Sequence, residues 1–344
     1  MAQSHPQSQP LDSKDLALRS TDTAVPALPW QVEDMIEDAV APGQRDAATV
    51  ELGGELTARK QRSLWTDAWR RLRRNKLAVV GLVVVATFSL IAIFAPAIAP
   101  YGQAEVVDFR LARYAPSWTW PMGIDANGRD MFSRMVYGAQ VSLVVGVLAQ
   151  AIVLLIGVPI GALAGYFGGA TDNLLMRSVD VIYAIPQLLM VLLFVNWWGP
   201  GLRNIFLAIG LVGWVTLARL VRGQFLSLRE QEYVSAAQVA GASGAYIIRK
   251  HMLPNSLTPI IVALTFGIPT AIFIEAALSY VGVGIRPPQA SWGQMVAEGS
   301  NPGYIETDPH MLLFPVLAIG LTMLGFSFLG DGLRDALDPK GSRD

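Results

Sequence analysis

The chain has 344 residues, of which 52% are hydrophobic and only 15% are charged, with a mean hydropathy of +0.41 and a formal net charge of −1. Soluble globular proteins carry about 25% charged residues, so this composition excludes an ordinary soluble domain and indicates a polytopic membrane protein. The absence of cysteine excludes disulfides, thiolate metal sites and thiol nucleophiles, and three histidines speak against a histidine-based metal cluster.

The first 76 residues form two different segments. Residues 1–58 are rich in Pro, Gln, Ser and acidic residues and lack sustained periodicity, which predicts a disordered cytoplasmic tail. Residues 59–76 hold eight Lys or Arg and one acid, with apolar residues at helical spacing, which predicts a basic helix at the membrane surface. Nucleic-acid binding is the alternative for a basic run, but the apolar run that begins at Leu77 favours the membrane.

Six runs are long and apolar enough to be transmembrane helices, and they cover residues 77–98, 141–166, 181–198, 204–221, 257–281 and 311–330. With the N-terminus inside, the inner segments hold 17 Lys or Arg and the outer segments hold six. The positive-inside rule therefore places both termini in the cytoplasm. It also places residues 99–140 outside the cell and residues 223–256 in the cytoplasm.

The outer segment ends in an amphipathic pattern over residues 127–143. Its apolar residues fall on one helical face, and its polar residues, Arg129, Asp130, Ser133 and Arg134, surround the other. This pattern predicts an interfacial helix that leads into the second span. The polar residues are interpreted as a local polar surface or helix cap, with a substrate contact as the alternative.

Small residues mark one face of the second span. Gly157, Gly161 and Gly165 are four residues apart, so another helix can approach closely there. The partner is either a helix of the same chain or a second subunit.

Polar or aromatic residues near the outer ends of the spans are candidate pathway or gating residues. Glu275 lies about 27 Å along the helix from Leu257 at 1.5 Å per residue, which predicts a position near the outer face within reach of water. An intramembrane carboxylate is either functional or structurally hydrogen-bonded, and Asn196 has the same two interpretations. Trp292 follows Pro287 and Pro288 and is either part of a rigid outer loop that dips back into the bilayer or covers a cavity, or an interface anchor.

A polar segment, residues 232–255, separates two apolar runs. Ala236 and Ala237 predict a slender helix, Gly241 and Gly244 permit a sharp turn, and Pro254 is expected to end a second helix before the fifth span. This predicts a rigid projection that is fixed at both ends to membrane helices.

The segment resembles the EAA loop of binding-protein-dependent ABC importer permeases through Ser235-Ala236-Ala237, Gly241, Ile248 and Leu253-Pro254. Ser235 stands where that family usually has Glu. The resemblance implies a role in ATPase coupling for Glu232, Tyr233, Ser235, Ala236, Ala237, Gly241, Ala242, Ser243, Ile248, Leu253 and Pro254.

Further blocks narrow the resemblance to the C-type subunit of dipeptide and oligopeptide permeases. These blocks are residues 122–138, residues 199–202 with 218–223, and residues 275–280 with 287–288 and 291–293. The resemblance covers residues 63–340 and leaves residues 1–58 as an extension. It implies an all-α membrane protein with the six-helix type I ABC importer permease fold and a permease core over residues 141–338.

The resemblance also implies a heteromeric importer in a bacterial or archaeal inner membrane. Its other parts would be a second permease subunit, two ATPase subunits that use ATP and Mg²⁺, and an extracytoplasmic binding protein. Di- or oligopeptides are the expected solute, with nickel or a glycan as alternatives. The sequence lacks a G-x-x-x-x-G-K-[ST] loop, so we expect no cofactor on this chain and no enzymatic activity of its own.

Two other functions stand as alternatives. An ATP-independent secondary transporter predicts internal symmetry and buried coupling carboxylates, of which only Glu275 qualifies. A membrane-embedded enzyme requires convergent His, Asp or Ser groups within the spans, and the pattern shows none.

Overall fold

The computed structural model describes residues 64–337. The predicted tail over residues 1–58 and the first residues of the predicted basic helix, 59–63, lie outside this range. Within it the helices are α1 Leu64–Arg74, α2 Lys76–Ile93, α3 Ala95–Ile98, α4 Met131–Phe167, α5 Gly169–Tyr183, α6 Gln187–Trp198, α7 Leu202–Arg229, α8 Glu232–Val239, α9 Gly244–Ile247, α10 Leu253–Tyr280, α11 Trp292–Gly299, α12 Pro302–Ile305 and α13 His310–Leu337.

Five of the described helical segments are long and apolar enough to cross a membrane, and they contain α2, α4, α7, α10 and α13. The pair α5 and α6 passes the same test together, so the described residues hold six candidate spans if this bent pair is counted as one span. The predicted all-α, multi-span fold is therefore confirmed.

The third predicted span, residues 181–198, is wrong as a single helix. The structure bends by 82° between α5 and α6. Pro186 lies at the break as the N-cap of α6. Proline has no N–H to donate and disfavours the helical conformation of the residue before it, so α5 ends at Tyr183.

Two other predicted boundaries also change. The predicted interfacial helix and the second span form one continuous helix of 37 residues, α4. The first span divides after Ile93 into α2 and the short α3, which carries proline in its first turn. Asn75 separates α1 from α2 and caps α2, because its Oδ1 accepts hydrogen bonds from the amides of Leu77 and Ala78 at 3.1 and 3.2 Å.

Glycines bring α4 and α7 together. A Cβ at Gly157 would lie 2.9 Å from the Trp214 carbonyl oxygen, and one at Gly165 would lie 2.5 Å from the Phe225 Cβ. Gly161 faces the Ala218 carbonyl in the same groove. The glycine stripe therefore packs against a helix of the same chain, which confirms the intramolecular interpretation.

The chain ends of the described region also pack together. Ala68 and Leu72 of α1 are buried with Ala78 of α2 and Ala336 of α13. Arg70, Arg73 and Arg74 lie on the exposed side of α1. The helical part of the basic segment is thus confirmed for Leu64–Arg74, and its position at a membrane surface stays a prediction.

Candidate functional site

The segment between α7 and α10 lies at one end of the bundle, here called the α8 end. The segment consists of α8, a turn at Gly241 with φ of +80°, and α9. Ser243 caps α9 by accepting a hydrogen bond from the Tyr246 amide at 3.4 Å. The predicted helix, glycine turn and second helix are therefore confirmed.

The predicted stop at Pro254 is wrong. Helical structure continues from α9 through a π-helical turn, Ile248–Met252, into α10, and Gly244–Tyr280 forms one candidate span. Proline is tolerated in the first turn of an α-helix, because the N–H that it lacks would have no partner within the helix. In a π turn, the backbone hydrogen bonds join residues five apart. The Leu253 amide accordingly donates to the Ile248 carbonyl, five residues earlier. The second helix of the loop is thus a direct extension of α10.

The inner side of the loop is anchored on α7 and α4. Val234, Ile247 and Met252 are fully buried beside Val221 and Phe225 of α7. Because such packing is dense and low in compressibility, displacement of the loop would be transmitted to the helices that it contacts.

Contact with α4 adds a second anchor. Gly244 lies against the Tyr166 ring near the end of α4, and a Cβ there would approach the ring to 2.9 Å. On the α10 side, the Asn255 side-chain amide donates to the Tyr233 hydroxyl at 3.5 Å and to the His251 carbonyl at 2.5 Å. The loop therefore contacts three of the long helices.

The outer side of the loop is exposed. Of the predicted coupling residues, the structure exposes Glu232, Tyr233, Ser235, Ala236, Gly241, Ser243 and Pro254. Ala237, Ala242, Ile248 and Leu253 are half-buried and pack against the core beneath the loop. Val239 is 91% exposed, although it was not among the predicted coupling residues. Helical spacing could have identified Val239 from the sequence, because it follows Ser235 by four residues and Ala236 by three and therefore lies on the same side of the helix. We call Glu232, Tyr233, Ser235, Ala236 and Val239 the α8 face.

Ion pairs join α5 to α7 near the same end. The Arg222 guanidinium binds the Asp172 carboxylate through two bonds, Nε–Oδ1 at 2.5 Å and Nη2–Oδ2 at 2.6 Å. Arg219 pairs with Asp180 at 2.5 Å and lies 4.0 Å above the Tyr183 ring. Both arginines entered the sequence-based prediction as topological charges and within the block 218–223 of the family resemblance, and their partners were missed because these lie on a different helix.

A buried ionic cluster lies at the opposite end of the bundle, here called the α11 end. Arg134 contacts Asp125 at 2.6 Å and Glu298 at 2.5 Å, while Arg129 contacts the same two carboxylates at 2.7 and 3.3 Å. The side chains of Arg134 and Asp125 are each only 1% exposed. The cluster balances two positive and two negative charges, which a buried ionic site requires.

The predicted polar surface at the start of α4 is therefore wrong, whereas the predicted cap is confirmed. The Asp130 carboxylate caps α4 by accepting from the Ser133 amide at 2.8 Å and from its hydroxyl at 2.6 Å. Glu298 lies 164 residues beyond Arg134, so no local pattern could reveal that these polar residues are covered.

Glu275 is fully buried, so the predicted access of water to its side chain is wrong. Its carboxylate accepts hydrogen bonds from the hydroxyls of Ser291 at 2.7 Å, Ser279 at 2.8 Å and Ser142 at 3.5 Å. These serines belong to the N-cap of α11, to α10 and to α4, respectively. Helix α11 is thus held at its start by Glu275 and at its end by Arg134 and Arg129, an arrangement that we call the α11 clamp.

Trp292 is also fully buried, which excludes the predicted interface anchor. Its indole Nε1 donates to the Met135 carbonyl at 3.0 Å, and its ring meets Phe88 edge-on at a centroid distance of 5.3 Å. Asn196 is exposed on α6. A pathway or gating role for Glu275, Asn196 and Trp292 stays a prediction.

A cavity of about 310 Å³ opens between α4, α6, α7 and α10. Its lining is mostly apolar, with the polar side chains Gln150, Gln187, Thr216 and Thr270. We call it the glutamine cavity. Among the described residues that line it none is charged, and Glu275, Asn196 and Trp292 do not line it. Within residues 64–337 no group of three or more His, Cys, Asp and Glu side chains is placed to hold a metal ion.

Comparison with known families accounts for this architecture. The family model described as "Binding-protein-dependent transport system inner membrane component" matches residues 157–343, which is more than half of the chain. The chain belongs to this family. A second family model, the N-terminal TM domain of oligopeptide transport permease C, matches residues 63–116. The resemblance inferred from the sequence motifs is therefore confirmed.

Individual relatives agree with the family. The chain is 45% identical to the oligopeptide transport system permease protein OppC of Bacillus subtilis, over 83% of this chain and 93% of that protein. It is 45% identical to the dipeptide transport system permease protein DppC of the same organism, over 80% and 85% of the two chains. It is 42% identical to the glutathione transport system permease protein GsiD of Shigella dysenteriae, over 81% and 91%.

A solved structure shares the fold. A chain of the inward-facing MetNI methionine ABC transporter superposes with a TM-score of 0.50 at 20% identity, covering 60% of this chain and 97% of that one. At this identity the likeness shows the fold alone. Together the comparisons establish a multi-pass inner-membrane permease component of an ABC importer.

Proposed function

We propose that this chain is one of two permease subunits in a heteromeric, ATP-driven importer of di- and oligopeptides. The names of its relatives support this solute class, because they specify oligopeptides, dipeptides and the tripeptide glutathione. The other subunits are a second permease, two ATPases that bind ATP and Mg²⁺, and an extracytoplasmic binding protein that delivers the peptide. This chain binds no nucleotide and catalyses no hydrolysis.

The α8 end faces the cytoplasm in this proposal, together with both termini. The excess of Lys and Arg in the segments at that end supports the orientation. Residues 99–130 and α11 then face the binding protein. The exposed arginines of α1 lie at the level of the inner lipid headgroups, as expected for a basic interfacial helix.

The observation that carries the proposal is the exposed α8 face on a loop that is packed against α7 and continuous with α10. Small side chains at Ser235 and Ala236 allow α8 to enter a groove of an ATPase subunit. Closure of the two ATPases on ATP would push α8, and the buried contacts of Val234 and Ile247 would pass that movement to α7. Rigid-body rearrangement of packed helices is an established way to switch between conformations. Here it would alternate access between the two sides of the membrane.

The substitution Gly241→Arg tests the proposal. Gly241 lies at φ of +80°, where an L-residue is strained, and a Cβ there would meet nothing within 4 Å. The arginine therefore distorts and blocks the turn without a clash in the core. We expect loss of ATP-driven peptide uptake by the reconstituted complex, with membrane insertion retained.

Gly199→Arg is the matched control. Gly199 has φ of +88°, and a Cβ added there would also meet nothing within 4 Å, but this glycine precedes α7 at the α11 end. Comparable strain there should leave uptake largely intact. Unchanged uptake in the Gly241 variant, or equal loss in both variants, would contradict a specific role for the loop.

A further inference from the structure

The glutamine cavity contains two side-chain amides without partners. Within residues 64–337, neither Gln150 nor Gln187 makes a hydrogen bond. Gln150 is half-buried and Gln187 is exposed, so both carboxamides are accessible from outside the packed core. Polar groups within membrane spans generally face a cavity, a bound ligand or a protein partner. Both amides line the glutamine cavity, and Gln187 also borders a second cavity beside α5, so their donors and acceptors are open to a ligand there.

The cavity lies at mid-depth in the bundle. Gln150, Thr216 and Gly267 stand near the midpoints of α4, α7 and α10, respectively. Gln187 is the first residue of α6, directly after the 82° break that follows α5. Broken helices that form a site near the membrane midplane are a known feature of secondary transporters, and the same combination of a helix break and a mid-depth cavity is present here.

A glycine makes room for one of the two amides. A Cβ at Gly267 would collide with the carboxamide of Gln150, whereas a Cβ at Gly213 would be in ordinary van der Waals contact with the Gln187 Nε2 at 3.6 Å. A larger residue at position 267 would therefore displace the Gln150 amide. The open space in front of the two amides is about 310 Å³, at the lower end of the volumes of about 300–1,000 Å³ that hold small-molecule ligands.

The chemistry of the lining restricts the ligand. A carboxamide offers two N–H donors and a carbonyl acceptor, which match the carbonyl and N–H of a peptide bond. The described lining carries no charged residue, so it has no ion-pair partner for a terminal ammonium, a terminal carboxylate or a charged side chain. The rest of the lining is apolar, so it offers van der Waals contacts to peptide side chains but no directional hydrogen bonds.

We propose that the glutamine cavity is a site on the transport pathway that binds the uncharged main-chain amides of the peptide through Gln150 and Gln187. This statement rests on the proposed function in peptide import. The site explains how one permease passes peptides of different sequence, because every peptide offers the same main-chain groups while its side-chain charges meet no fixed charge.

The test introduces a charge at the site. The complete complex, with its second permease, ATPases and binding protein, is reconstituted in proteoliposomes, and uptake of Ala-Lys-Ala and Ala-Asp-Ala is measured at saturating loaded binding protein. The wild-type complex should move both peptides at similar rates. With Gln150→Glu, a carboxylate within several ångströms of the peptide side chain should favour Ala-Lys-Ala by about tenfold. Gln187→Glu should shift the ratio in the same direction and serves as the second variant if the first fails to assemble.

Gln289→Glu is the charge control, because Gln289 is exposed in the loop before α11 and does not line the cavity. It should retain the wild-type ratio. An unchanged ratio in both cavity variants would overturn the inference while leaving peptide import intact. If the wild-type complex takes up neither peptide with its own binding protein, the proposed function itself fails. Gln150→Leu adds a second readout, since uptake per ATP hydrolysed should fall while ATPase stimulation by the binding protein remains.

Discussion

Removal of one charge from the α11 clamp should destabilise the protein strongly. Arg134 is 1% exposed and contacts both Asp125 and Glu298, so Arg134→Met leaves two carboxylates with only Arg129. Breaking a buried ion pair by removing one partner costs about 3–5 kcal/mol. We expect about 3 kcal/mol, the lower end of that range, because Glu298 is 24% exposed and retains some contact with solvent.

The double variant Arg134→Met with Glu298→Gln restores charge balance, since Arg129 and Asp125 then remain as a pair at 2.7 Å. It should be more stable than the sum of the two single effects by at least about 1 kcal/mol, as expected for residues in one ionic network. The measurement is the free energy of unfolding in mixed detergent micelles, followed by tryptophan fluorescence.

Arg113→Met provides the matched control. Arg113 pairs with Asp308 at 3.5 Å at the same end of the bundle, and the two side chains are 49% and 12% exposed. After removal of Arg113, the Asp308 carboxylate still accepts a hydrogen bond from the Thr307 hydroxyl at 2.6 Å. Ion pairs with a solvent-exposed member contribute about 0–1 kcal/mol, so this variant should lose less stability than Arg134→Met. If Arg134→Met costs no more than Arg113→Met, the reasoning that the clamp is a buried ionic unit is refuted.

Two further predictions concern the α8 face and the glycine stripe. Ser235→Glu restores the residue that the family usually carries on an exposed position of α8, so assembly with the ATPase subunits should be retained or strengthened, as measured by co-purification. Loss of assembly would count against the alignment of this loop. Gly161→Ala introduces a Cβ that meets the Ala218 carbonyl, and overpacking costs about 1–3 kcal/mol. Gly320→Ala, where nothing lies within 4 Å of the Cβ, should be neutral or stabilising, and equal effects on the unfolding free energy would contradict the close packing.

The α11 clamp joins several helices at the α11 end of the bundle, as the loop does at the α8 end. Glu275 joins α4, α10 and α11 through three serine hydroxyls, while Glu298 joins α11 to the start of α4. Helices α4 and α10 also line the glutamine cavity. Helices α4 and α10 therefore contact the loop at the α8 end and are joined by the clamp at the α11 end.

Most of the helical architecture could be predicted from local patterns. Long apolar runs identified the spans, and alanine, glycine and proline identified the loop before α10. The errors occurred where a single residue changes backbone geometry. Pro186 divides the third span, whereas Pro254 is absorbed by a π turn. Both are prolines between apolar runs, and only the hydrogen bonding of their neighbours distinguishes a break from a continuation.

The site was predicted less completely, because burial depends on distant residues. The distance along the helix placed Glu275 near an end of α10, but its cover comes from Ser142 and Ser291 on other elements. Arg129 and Arg134 are surface residues by local pattern, and they are buried because folding brings Glu298 to them from beyond α10 in the chain. Gln150 and Gln187 could not be identified from the sequence because neither belongs to a local motif.

The sequence by itself determined the class of protein, the number of apolar segments and the position of the exposed loop. These properties follow from composition and short-range periodicity, which act within one helix. Only the tertiary structure decided which polar side chains are paired, which are covered and which two amides face one cavity. Those outcomes depend on contacts between residues far apart in the chain, and the free-energy cost of a buried charge is set by the partner that folding brings to it.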